Sequence, residues 1–141
     1  MIRKAELQDF NDLVRLAKIL GYPVRDLLEF KKRLAELLVS AGHLLFVAEI
    51  DGAVHGYIEA DRYSSLCTEP VYRVLGLVVD SEFQDQGLGG ELIKVFELEV
   101  LRLGVHKVVL TSGESRHLAH DFYEKHGYVM DHMQKKFGKE L

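Results

Sequence analysis

The chain holds 141 residues, 48% of them apolar and 28% charged, with a formal net charge of −4 and a pI near 6.0. Those values fit a single globular domain that buries its own core without structural metal or disulfides, and they argue against a nucleic-acid footprint, which is normally a basic face. No apolar run approaches the ~20 residues of a membrane span. The N-terminal Met1-Ile2-Arg3-Lys4-Ala5-Glu6 shows no secretory pattern, and the lone Cys67 has no intramolecular partner. A cytoplasmic enzyme or binding domain is the expectation.

Ile2 to Ala5 reads as a short first strand. From Leu7 to Leu20, Phe10, Leu13, Val14, Ala17 and Leu20 recur with the spacing of a one-sided helix. Gly21-Tyr22-Pro23 ends it, because proline lacks an N–H and disfavours α geometry in the residue before it. A second helical pattern carries Leu27, Leu28, Leu34, Leu37 and Leu38 to about Gly42. His43 to Ile50, mostly apolar without alternation, predicts a buried strand. Asp51-Gly52 predicts a hairpin, since both positions tolerate the positive φ of a tight turn. The return strand alternates, with Val54, Gly56, Ile58 and Ala60 on one side and His55, Tyr57, Glu59 and Asp61 on the other. Tyr63 to Pro70 reads as a loop.

A β-branched run from Arg73 to Val79 predicts the next strand, which stops at Asp80. Gln84-Asp85-Gln86-Gly87-Leu88-Gly89-Gly90 then opens a helix with a buried stripe of Leu88, Leu92, Phe96, Val100 and Leu103, and Gly104 sits where a left-handed cap belongs. Strand, glycine-rich turn and helix N-terminus form an arrangement that binds phosphates: glycines admit close backbone approach, and the first helical N–H groups lack internal partners. No Gly-Lys-Ser/Thr follows, which excludes a P-loop, and the third glycine of a dinucleotide fingerprint is missing. Lys107 to Thr111 predicts a strand parallel to Arg73–Val79. The loop Ser112-Gly113-Glu114-Ser115 leads to a short helix from Leu118 to His126, capped by Gly127, and Tyr128 to about Phe137 reads as a last strand. The order β-α-α-β-β-β-α-β-α-β describes an α/β domain with a mixed, mostly antiparallel sheet flanked by about four helices.

Gln84-x-x-Gly87-x-Gly89 directly after a strand, followed about thirty residues later by Ala119-His120-Asp121-Phe122-Tyr123-Glu124-Lys125-His126-Gly127-Tyr128, resembles the GNAT family of acetyl-CoA-dependent N-acetyltransferases. The likeness spans nearly the whole chain, including Leu20-Gly21-Tyr22-Pro23-Val24. It implies a single N-acetyltransferase domain over residues 1–141 that moves acetyl from acetyl-CoA to a primary amine of a small molecule or peptide, by direct attack in a ternary complex. It further implies that Gln84, Asp85, Gln86, Gly87, Leu88, Gly89 and Gly90 wrap the coenzyme A pyrophosphate with backbone N–H groups. Leu77, Val78 and Val79 would pair with the pantetheine arm as an added strand does. Tyr123 would be the general acid for the departing thiolate, a feasible transfer between groups with reference pKa values of about 10 and 8.5. Outside that motif, Tyr123 reads as an ordinary half-buried tyrosine.

The sequence also departs from the family pattern. Many relatives carry a glutamate base two residues before the position of Leu77, where this chain has Leu75, and the asparagine often found seven before the tyrosine is Arg116. Glu59, Asp61 and His55 share one strand face and are the alternative bases, against the plain reading of a solvated polar face. His117-x-x-His120 could place two rings on one side of a helix, yet no third ligand completes a catalytic zinc site, and no metal is expected. Acceptor contacts are expected from Gly21–Pro23, from Glu59 to Tyr63 and from the last strand, and an exposed last strand is compatible with a homodimer. The competing reading is a CoA-binding sensor or interaction module weakened in catalysis, favoured by Leu75.

Overall fold

The computed structural model of the protein describes residues 1–141. The chain divides into two compact units, Met1–Thr111 and Ser112–Leu141. The first contains β1 (Ile2–Lys4), a 3-10 turn at Leu7–Asp9, α1 (Phe10–Leu20), α2 (Leu27–Leu38), β2 (His43–Ile50), β3 (Ala53–Ser65), β4 (Thr68–Val79), a 3-10 segment at Ser81–Gln86, α3 (Leu88–Arg102) and β5 (Val108–Val109). The second contains α4 (His117–Lys125). The mixed, mostly antiparallel sheet is borne out: its order is β1-β2-β3-β4-β5, antiparallel throughout except for the parallel β4/β5 pair.

Local chemistry sets the element ends. α1 stops at Gly21, whose φ of 111° is left-handed, and the Tyr22 N–H reaches back to the Ala17 carbonyl at 2.9 Å. α2 starts on Asp26, whose side chain accepts the Glu29 N–H at 3.1 Å. Asp51 and Gly52 both have positive φ, 51° and 83°, as the hairpin between β2 and β3 demands. α3 closes with the Gly104 N–H on the Leu101 carbonyl and the Val105 N–H on the Val100 carbonyl, leaving Val105 buried.

Both faces of the sheet are covered. Leu13, Leu16 and Leu34 from the first two helices pack on Val47, Val54, Tyr57 and Val78. A Cβ on Gly56 would meet the Leu92 side chain of α3 at 3.3 Å, so α3 lies on the face opposite to that of neighbouring Tyr57. Phe96, Leu92 and Val100 are fully buried there, and the Phe96 ring meets Tyr72 edge-on at 6.4 Å. No helix is long and apolar enough to cross a membrane.

Three expectations change. Tyr63 to Pro70 is mostly strand: β3 runs to Ser65 and β4 begins at Thr68, leaving only a tight connection around the exposed Cys67. The face carrying His55, Tyr57 and Glu59 is covered by α1 and α2 instead of solvated, and Tyr57 is only 7% exposed. Residues 128–137 form no strand, and Val129, Met130, Met133 and Phe137 are exposed. Composition can suit a segment to a sheet, whereas the ladder bonds that make it a strand must come from a neighbour, and the sheet comprises β1 to β5 alone.

Candidate active site

The glycine-rich turn is built on a chain of backbone hydrogen bonds. After β4 ends at Val79, Ser81–Gln86 winds as a 3-10 segment, Gly87 takes φ 78°, and α3 begins at Leu88. The helical bond from the Glu91 N–H to the Gly87 carbonyl, 3.1 Å, leaves the N–H groups of Leu88, Gly89 and Gly90 ahead of it without helical acceptors. Gln84, Asp85, Gln86 and Gly87 are exposed, whereas the Leu88 side chain is buried in the core, so Leu88 offers its backbone alone. The Gln84 amide donates to the Val79 carbonyl at 3.2 Å and the Gln86 amide to the Glu82 carbonyl at 3.2 Å. Both glutamine side chains thus tighten the turn itself.

Before that turn, β4 has one free edge. β3 pairs with β4 along its length up to Gly56 opposite Val79, but β5 pairs only through Tyr72 and Arg73. From Val74 to Val79 the backbone on the β5 side therefore lacks a strand partner. Leu77, Val78 and Val79 lie within this stretch and run into the turn, so an extended ligand can add as a strand and end at the helix N-terminus.

Asp80 anchors the junction. Its carboxylate is 5% exposed overall and receives the Arg15 guanidinium of α1 on one oxygen and lies 2.9 Å from His55 Nδ1 on the other. Its N–H donates to the His55 carbonyl at 2.7 Å, and the Phe83 ring stacks on the His55 imidazole at 4.4 Å. Burial alone would raise the Asp80 pKa; Arg15 and His55 outweigh it and hold the carboxyl below its ordinary value. Arg15 also donates to the Val54 carbonyl at 2.9 Å, while the Val54 N–H donates to Asp12 at 3.0 Å. His55 is therefore a structural partner of the turn and not positioned as a free base.

On the α1/α2 face lies a cavity of about 530 Å³. Leu13, Ala17, Leu20, Phe30 and Leu34 form its apolar wall, Tyr22 and Pro23 reach it from the α1–α2 connection, and Tyr57, Glu59 and Leu75 reach it from the sheet. Of the expected acceptor contacts, Tyr22, Pro23 and Glu59 line it, whereas Gly21, Ala60, Asp61, Arg62 and Tyr63 do not. The register slips between Glu59, opposite Gly76, and Ala60, opposite Val74, which makes Leu75 the extra residue of a bulge aimed into the cavity. Burial pushes the Tyr57 hydroxyl well above the usual tyrosine range, with the Glu59 carboxylate adding to it, so Tyr57 remains a neutral donor.

In the second unit, Tyr123 sits on the last turns of α4. Gly127, at φ 90°, donates to the Glu124 carbonyl, and the Tyr128 N–H donates to the Tyr123 carbonyl at 3.0 Å. The two tyrosine rings meet at 5.9 Å, so the cap that stops the helix also packs Tyr123. Burial raises the Tyr123 pKa above its ordinary 10.0, opposed by Arg116. His120 Nε2 lies 2.8 Å from the Gly113 carbonyl, to which it donates; its ring fastens the loop before α4.

The Acetyltransferase (GNAT) family profile matches residues 7–128 and runs across both units. The chain belongs to the GNAT family of N-acetyltransferases. Among solved structures it is similar to a GNAT family acetyltransferase of Staphylococcus aureus, with 26% identity, TM-score 0.80, and 100% and 98% of the two chains covered. It is likewise similar to an aminoglycoside antibiotic 6'-N-acetyltransferase of Acinetobacter baumannii, at 18% identity, TM-score 0.87 and the same coverage. A third similar structure is an AAC(6')-Iy in complex with the bisubstrate analogue CoA-S-monomethyl-acetylneamine, at 19% identity, TM-score 0.87, with 100% and 98% covered. Comparison with curated protein sequences returns no match.

Sequence reasoning missed Asp80 and Arg15. Asp80 was visible as the residue ending the strand, but Arg15 lies far away in the chain on the polar side of α1, and only the fold brings the two together. The cavity was equally hidden, because its walls come from α1, α2 and three strands.

Proposed function

We propose that the protein transfers acetyl from acetyl-CoA to a primary amine of a small molecule or peptide by direct attack in a ternary complex. The observation that carries this reading is the unpartnered edge of β4 at Val74–Val79 leading into the left-handed Gly87 and the open N-terminus of α3. Leu77, Val78 and Val79 would hold the pantetheine arm. The stretch Gln84, Asp85, Gln86, Gly87, Leu88, Gly89 and Gly90 would receive the pyrophosphate on backbone N–H groups, where oriented donors and the helix dipole favour an anion. The thioester supplies the activated acetyl group. Tyr123 is the general acid of this reading, supported by its place in the family motif and by burial that keeps its phenol protonated at neutral pH. Names of similar proteins that act on aminoglycosides favour a small-molecule amine as acceptor. A cytoplasmic setting belongs to the same reading.

Leu75, standing where many relatives carry a glutamate, favours a second reading as a CoA-binding sensor weakened in catalysis. Two measurements test them, and the second separates them. Acetyl-CoA at a hundredfold excess over its Kd should stabilise the fold by about 2.7 kcal/mol, read as a rise in Tm; no shift at millimolar ligand removes both readings. Release of free thiol in the presence of amines supports the enzyme, and binding without thiol release on any acceptor supports the sensor.

A further inference from the structure

We propose that the cavity between α1, α2 and the sheet takes a primary amine carried on an apolar body, and that Glu59 receives its ammonium and takes its proton. This rests on the acetyl-transfer reading and describes the acceptor end of that same site.

Three side chains on one face of β3 are chemically able to serve as base, and the fold commits two of them elsewhere. Asp61 receives Arg73 Nε at 3.0 Å and Nη2 at 2.8 Å, and the same guanidinium stacks on the Tyr63 ring. His55 is bound to Asp80 beneath the glycine turn. Glu59 alone of the three lines the cavity, with its side chain 28% exposed. Behind it, His43 Nε2 lies 3.0 Å from Glu59 Oε2, close in distance but outside hydrogen-bond geometry, and that buried nitrogen has no hydrogen-bond partner. The Glu59 carboxylate thus keeps lone pairs for a donor arriving from the cavity. The bulge at Leu75 supplies an apolar neighbour on the adjacent strand, so the acid missing from β4 is present one strand away.

The walls define what carries the amine. Leu13, Ala17, Leu20, Phe30, Leu34 and Leu37 would press against the body of the acceptor. Burying a second ammonium against them without a partner is strongly unfavourable. The charged lining consists of Asp26, Glu29 and Glu59 against Arg25 and Arg33, one carboxylate in excess, which matches a monocation. The volume is that of a small-molecule site. The other titratable groups around Glu59 are His43 from β2, Tyr57 beside it on β3 and Tyr22 from the α1–α2 connection.

The proton balance closes. The acceptor arrives as R–NH3+, and Glu59 takes one proton. The neutral nitrogen then attacks the acetyl carbonyl carbon. The N–C bond forms and the C–S bond breaks, and the sulfur leaves with the electron pair and takes a proton from the general acid. The second proton lost by nitrogen restores that acid, and Glu59 passes its own to water, so each transfer releases one proton.

The test compares 2-phenylethylamine, spermidine and an aminoglycoside as acceptors for the unaltered protein, by thiol release, and repeats the best acceptor with Glu59→Gln. The acetyl-CoA-dependent rise in Tm serves as the control for fold and cofactor binding in the variant. The expected result is a kcat/KM for the phenylalkylamine at least about tenfold above both polycations. Glu59→Gln should lower kcat about a hundredfold near pH 7, keep the Tm rise, and recover as pH increases, because the amine then loses its proton without help. A preference for either polycation, or full turnover by a folded Glu59→Gln protein near pH 7, overturns the inference and leaves acetyl transfer standing. No thiol release with any amine overturns both together. The acceptor ranking does not depend on how the variant folds.

Discussion

Asp80 and His55 are joined twice, once between the carboxylate and Nδ1 at 2.9 Å and once from the Asp80 N–H to the His55 carbonyl at 2.7 Å. The double contact fastens the end of β4 to β3 where the chain turns into the glycine-rich segment. Arg15 adds α1 to the same point. The glycine-rich turn is therefore held by a polar knot behind it, not by the exposed side chains in front.

That knot predicts a pH dependence. A carboxyl held below its ordinary value stabilises the fold above the unfolded-state pKa, about 3.9 for aspartate, and this stability is lost as pH falls through the lower folded value. Asp80 and Asp9 both behave this way; for Asp9, burial is outweighed by Arg3 and the Glu6 N–H. The urea midpoint should fall steeply as pH drops below about 4, and Asp80→Asn should flatten part of that slope. Asp80→Asn should also destabilise the protein at neutral pH by about 1–3 kcal/mol, since Arg15 loses the nearer of its two carboxylate partners. An unchanged slope would remove Asp80 from the balance.

Gly56→Ala tests the spacing behind the unpaired edge of β4. The new Cβ would stand 2.9 Å from the Val78 backbone carbonyl, an atom that cannot swing aside. Displacing β4 there should lower stability by about 1–3 kcal/mol and raise the KM for acetyl-CoA, because Val78 belongs to the unpaired edge. Gly76→Ala is the contrast: its Cβ would crowd the flexible end of Leu20, at 2.9 Å, and touch the Tyr57 ring at an ordinary 3.7 Å, so acetyl-CoA binding should hold while the cavity on the α1/α2 face narrows.

The turn carries no cation of its own. Asp85 is exposed within it, beside backbone donors that would face a pyrophosphate. Asp85→Asn removes a like charge and should tighten acetyl-CoA binding by a few tenths to about 1 kcal/mol, with the gain shrinking at high salt. Calorimetry at two ionic strengths checks both the sign and the screening.

Tyr123→Phe should lower kcat by about a hundredfold while leaving the acetyl-CoA Kd nearly unchanged. Because burial raises the Tyr123 pKa above 10.0, the phenol holds its proton across the neutral range, and its ionisation should not produce a falling limb in the pH–rate profile below pH 10. Turnover equal to that of the unaltered protein would remove the general-acid role.

Periodicity and turn chemistry fixed much of this molecule locally. The bounds of β2, the Asp51-Gly52 hairpin, the helix that Gly87 opens and Gly104 closes, and the cap at Gly127 all follow from interactions within a few residues, and all were legible. The order of the stretch from Leu77 to Gly90 was legible for the same reason, since strand, turn and helix start are contiguous in the chain. What lay beyond reach depends on neighbours distant in sequence. Residues 128–137 read as a last strand, yet they form none, because a strand needs ladder bonds from a neighbour. Tyr57 and Glu59 carry the pattern of a wet face, but α1 and α2 cover it and turn it into a cavity wall. His55, Glu59 and Asp61 were equivalent by alternation; only the positions of Asp80 and Arg73 separate them. The sequence alone determined the family and the turn that suits a phosphate. Tertiary structure decided which of those three side chains lines the cavity, because that depends on which partners the other groups find across space.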